Sequence, residues 1–110
     1  MTKVTISNSP WVTEIRIKGH AGFNPGNDIV CAAISNSSYM VLNYMLEHLP
    51  GYLKRYKDEP GDFRMDISMD GDLRTNTKIK TVLELFETAI GQIAVNYPKH
   101  CTLEVKHDSI

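Results

Sequence analysis

The segment Gly19–Ser35 reads GHAGFNPGNDIVCAAIS and brings a base and a thiol into one short stretch. His20 closes a run with strand-like alternation, a glycine-rich loop follows, and Cys31 stands in the first turn of a helical pattern. A positioned imidazole takes the proton of a thiol and later protonates a leaving amine. The free N–H groups and macrodipole at a helix start favour a thiolate by about 0.3–1 kcal/mol. Taken singly, each residue has a plainer explanation: CAA as a small-residue patch packed on a sheet, and His20 as a loop histidine at a strand end. Their pairing at a helix start is what points to a thiol nucleophile with a base, the chemistry of peptide-bond cleavage.

The helix register adds to the pair. Asp28, Cys31, Ser35 and Ser38 fall on one polar stripe of an otherwise apolar helix. Ser35 lies one turn beyond Cys31, within reach of a thiolate or a bound peptide. Asp28 has two roles open to it: capping the helix, or orienting His20 as the third group of a triad does. Gly22, Phe23 and Gly26 belong to a loop expected to move over a substrate, and backbone N–H groups near the helix start are expected to hold an oxyanion.

Two rivals carry less. A glycine-rich segment before a helix cradles phosphate, but GFNPGND fits neither the P-loop nor the GxGxxG fingerprint, and it has no lysine. A zinc site would draw on His20, Cys31, His100 and Cys101, without CxxC or HxxxH spacing. Cys101 is in phase with Leu103 and Val105 and reads as a small buried hydrophobe, while His48 and His107 read as surface residues at element ends.

The elements that must position these residues follow from periodicity. Thr2–Ser7 and Trp11–Lys18 predict a β-hairpin, with Trp11, Thr13, Ile15 and Ile17 on its apolar face. Asn27 or Asp28 starts a helix from about Ile29 to Leu49, with Val30, Ala33, Ile34, Val41, Tyr44 and Met45 facing the sheet. Gly51–Asp62 reads as a polar connection, and Phe63–Met69 as a strand with Phe63, Met65, Ile67 and Met69 inward. Thr75 or Asn76 caps a second helix, built on Ile79, Val82, Leu83, Phe86, Ile90, Ile93 and Tyr97 and stopped by Pro98. Cys101–Val105 is the last strand. The order ββαβαβ implies an α+β fold: a two-layer α/β sandwich in which two helices pack on one mixed sheet.

The whole chain of 110 residues reads as one domain, with 42% hydrophobic and 23% charged residues. A formal net charge of −1 argues against direct nucleic-acid binding through phosphate neutralisation. No membrane partner is expected, because no run approaches the roughly 20 apolar residues of a span. The start, MTKVTISNSPWV, lacks the apolar core of a secretory signal, so a cytoplasmic location is the expectation, with both cysteines as thiols.

The combination of GHA with DIVCAAIS resembles the ribosomal-processing cysteine proteases, the Prp family. The resemblance runs over nearly the whole chain in element order. It implies a catalytic dyad of His20 and Cys31, supporting roles for Asp28 and Ser35, and no cofactor. It also implies a homodimer and a loop that closes over a peptide. The implied reaction is removal of the N-terminal extension of ribosomal large-subunit protein 27. The loop AGFNPGN departs from the family pattern in being shorter and without acidic residues, which bears on peptide specificity. The alternative is a non-catalytic binding module in ribosome assembly.

Overall fold

The computed structural model describes residues 1–108. Strands β1 (Thr2–Asn8) and β2 (Val12–Lys18) form the expected hairpin, with Val4 opposite Ile17 and Ile6 opposite Ile15. Helix α1 (Ile29–His48) follows the glycine-rich loop. A second hairpin, β3 (Leu53–Glu59) and β4 (Asp62–Ser68), leads to helix α2 (Leu73–Asn96) and strand β5 (Cys101–His107). The sheet order is β3-β4-β2-β1-β5, and β1–β5 is its parallel pair.

One sheet face carries Val4, Ile6, Ile15, Ile17, Phe63, Met65 and Ile67, all buried. Both helices lie on that face. α1 contributes Val30, Ile34, Val41, Leu42 and Met45, and α2 contributes Ile79, Leu83, Phe86 and Ile90. Fully burying each such side chain is worth about 1.5–3 kcal/mol, which holds the two layers together. The result is the two-layer sandwich with one mixed sheet that the periodicities imply. The far sheet face is charged, and its least exposed carboxylate, Asp66, sits between Arg55 and Arg64.

The segment read as a polar connection contains an extra strand, so the order is ββαββαβ. β3 is an edge strand, exposed nearly throughout, and LKRYKDE has no apolar alternation to betray it. Charged residues on an edge strand discourage pairing with further chains. A bulge between Leu53 and Arg55 also flips its register. Leu53 pairs with Ile67, but Tyr56 and Asp58 then pair with Met65 and Phe63, so Asp58 shares their helix-facing side.

Smaller corrections concern helix caps and the facing of single residues. Asp72, not Thr75 or Asn76, caps α2, accepting the Thr75 N–H at 2.8 Å. Asn76 instead bridges the preceding turn through Gly71 and Met69. Trp11 precedes β2 in a turn closed by Ser9 and Val12, and is 66% exposed. Ala33 faces outward, while Ser38 turns inward and donates to the carbonyls of Ile34 and Ser35. α1 is, in length and composition, apolar enough to cross a membrane, because no charge interrupts Ile29–Leu46. Its buried stripe packs as a core helix on the sheet.

Candidate active site

The histidine is held by its backbone. Gly19 has a φ of +89°, and a side chain there would run into the carbonyl oxygen of Met1. Glycine is required at that step, and it lets the chain leave β2 sharply. The Gly19 N–H donates to the Gly61 carbonyl at 2.9 Å, and the Met1 nitrogen donates to the His20 carbonyl at 2.7 Å. The next residue, Ala21, is buried, and its carbonyl lies 2.9 Å from Nδ1 of His100. Main-chain anchors therefore flank His20 while its side chain stays exposed.

The cysteine is held by a cap. Asp28 adopts extended backbone and accepts the Cys31 N–H at 2.8 Å with one carboxylate oxygen. Its other oxygen accepts the Phe23 N–H at 2.9 Å. The Cys31 backbone bond is the main cause that holds the Asp28 carboxyl below its usual range. Among the described residues, Asp28 makes no hydrogen bond or ion pair with His20. Of its two expected roles, the structure displays the cap, combined with a staple across the loop. The N–H of Ala32 is also taken, by the Asp28 carbonyl at 3.0 Å. The N–H groups of Cys31 and Ala32 thus serve the cap, and neither is free for an oxyanion in this arrangement.

Both His20 and Cys31 line a single open cleft of about 360 Å³. One wall is α1, presenting Cys31, Ser35, Ser38 and Tyr39; the other is the turn from Asp58 to Phe63 in the second hairpin. Along α1, Cys31 and Tyr39 stand eight residues apart, about 12 Å at 1.5 Å per residue. A cleft of that length accommodates three or four residues of an extended peptide at about 3.3 Å each. At its far end, Tyr39 donates to Asp58 at 3.1 Å and rests its ring edge-on against Phe63. That bond pushes the Tyr39 hydroxyl pKa up.

Gly22, Phe23 and Gly26 are not among the residues that line this cleft. Phe23 instead sets its ring edge-on to Tyr97 and His100, each with centroids 5.3 Å away, which ties the loop to the end of α2. Gly22 and Gly26 have positive φ and open space around them. Cys101 is buried, and burial pushes its thiol pKa up. His48 and His107 close α1 and β5 on the surface. Among the described residues, no three His, Cys, Asp or Glu side chains converge.

Sequence reasoning missed Tyr39, Asp58 and the β3–β4 turn as cleft walls. Tyr39 continues the stripe of Ser35 and Ser38 along α1, a signal that register alone would have extended. Asp58 had no such signal, because its side was set by the bulge.

The Cysteine protease Prp family model matches residues 1–102 of this chain. No curated protein matches its sequence. A solved structure of an essential ribosomal processing protease from Staphylococcus aureus, linked covalently to a product peptide, is 25% identical with a TM-score of 0.77. The match covers 96% of this chain and 100% of that one. A Streptococcus mutans protein is 26% identical with a TM-score of 0.71, covering 98% of this chain and 99% of its own. The Staphylococcus aureus protease with a substrate peptide, at 24% identity, a TM-score of 0.69 and coverage of 96% and 100%, repeats the fold. With a thiol at a capped helix start, a histidine on the same cleft and a family match over nearly all its length, this chain belongs to the Prp family of cysteine proteases.

Proposed function

We propose that the protein is an endopeptidase working through a Cys31–His20 dyad, and that it removes the N-terminal extension of ribosomal large-subunit protein 27. The observation that carries the reading is one cleft lined by both groups. In the reaction, Cys31 Sγ attacks the scissile carbonyl carbon while His20 takes the thiol proton. The C–N bond then breaks, His20 protonates the leaving amine, and a thioester remains on Cys31. Water, deprotonated by His20, attacks the thioester, and the acid product leaves as the thiol reforms. The Ser35 hydroxyl, on the cleft one turn beyond Cys31, is our choice of oxyanion donor, since Asp28 occupies the N–H groups of Cys31 and Ala32.

Support for a peptide substrate comes from the Staphylococcus aureus protease, described with a covalently linked product peptide. We assign the protein to the cytoplasm, where a free thiol survives, and to a homodimer. The deciding experiment incubates it with ribosomal protein 27 from the same genome and weighs the product. A single N-terminal truncation, lost in Cys31→Ala and in His20→Ala, is the expected result. An intact substrate, or undiminished cleavage by either variant, would overturn the reading. Sedimentation at micromolar concentration tests the dimer, and a monomer would remove that part alone.

A further inference from the structure

The β3–β4 turn meets the histidine at one residue, Gly61. A Cβ placed on Gly61 would lie 2.9 Å from Nε2 of His20, 3.4 Å from Cε1 and 3.5 Å from Cδ2. The Gly61 carbonyl accepts the Gly19 N–H at 2.9 Å, so the same residue also fixes the main chain that carries His20. Its φ of +71° explains a glycine by itself, as at Gly22 and Gly26, where an added Cβ would meet nothing within 4 Å. Gly61 differs from those two in having the imidazole against it.

We infer that Gly61 is a positioning residue for His20, its missing side chain being the space in which the Nε2 corner of the imidazole stands. This rests on the reading of His20 as the base. Non-bonded heavy atoms settle at about 3.5–4.0 Å, so a side chain at position 61 would drive the ring back by roughly 0.6–1 Å. The His20 side chain is exposed and turns on two torsions, so the ring yields before the fold does. A misplacement of about 1 Å in a catalytic group costs up to about a hundredfold in rate. Gly61 and His20 are 41 residues apart in sequence, and the second hairpin is what joins them.

Gly61→Ala and Gly61→Asn test this together. Both add a Cβ, but asparagine tolerates the left-handed backbone far better, which separates crowding from strain. Both variants should fold, lose about ten- to a hundredfold in kcat on a peptide spanning the cleavage junction, and keep KM within about threefold. The NMR signal of the His20 Cε1 proton should move in both. A kcat within twofold of the parent in a folded variant, or an unmoved His20 signal, overturns the inference. Unfolding of both variants overturns it as well, since the ring would not be the part that yields. His20→Ala is assayed beside them: cleavage surviving there sinks the dyad itself, whereas its loss with normal Gly61 variants sinks only the role of Gly61.

Discussion

The Asp28 carboxylate holds the backbone N–H of Cys31 at 2.8 Å, and so seats the thiol at the start of α1. Its second oxygen draws the Phe23 N–H to 2.9 Å, which folds the glycine-rich loop back on the helix. Asparagine caps a helix about as well as aspartate but offers one accepting oxygen in place of two. Asp28→Asn is therefore expected to keep the melting temperature close to the parent while lowering kcat severalfold. Asp28→Ala should lose both stability and at least about tenfold in kcat. Calorimetry with peptide cleavage checks this, and an Asp28→Ala variant as active as the parent would sink it.

The two thiols should differ in reactivity. Cys31 is half-buried on an open cleft, whereas Cys101 is 1% exposed with its thiol pushed up by burial. Iodoacetamide near pH 7 is expected to label Cys31 at least about tenfold faster, as mapped by peptide mass. Cys101→Ala should retain cleavage. Equal labelling rates, or a folded but inactive Cys101→Ala, would refute the separation.

Phe23 pins the loop through its edge-on contacts with Tyr97 and His100. Each such pair is worth about 0.5–1.5 kcal/mol. Phe23→Ala should thus cost roughly 1–3 kcal/mol in urea unfolding and speed amide exchange across Gly22–Asn27. Unchanged exchange there would show that Asp28 alone secures the loop.

Acid should act through Asp62, next to Gly61 on the cleft wall. Lys18 and Lys57, each 2.7 Å away, hold the Asp62 carboxyl down to about 2. A pKa depressed in the folded protein contributes stability that is complete above the unfolded value, 3.8, and is lost as pH falls toward 2. Asp62→Asn is expected to flatten the acid limb of stability between about pH 4 and 2, and to leave neutral stability only slightly lower. An acid limb identical to the parent would contradict the assignment.

The helices and the buried strands could be read directly. Ile79, Leu83, Phe86 and Ile90 recur at helical spacing and all four are buried. Thr13, Ile15 and Ile17 alternate and all three are buried. β3 escaped because an exposed edge strand needs no apolar face, and its bulge breaks the period of two. Phe23 was read as part of a loop over substrate, since nothing local could reveal that Tyr97 and His100 receive its ring.

The local order of residues was enough to set out the chemistry on offer: a histidine just past a strand and a cysteine in the first turn of a helix, with Asn27 and Asp28 both placed to start that helix. Those relations span a few residues, where backbone geometry leaves little choice. What surrounds them came from long-range packing. Gly61 against His20, Asp58 against Tyr39 and Phe23 against Tyr97 join segments remote in the chain. Such pairs leave no periodic trace in sequence, because sheet pairing and helix packing, rather than spacing along the chain, bring them together.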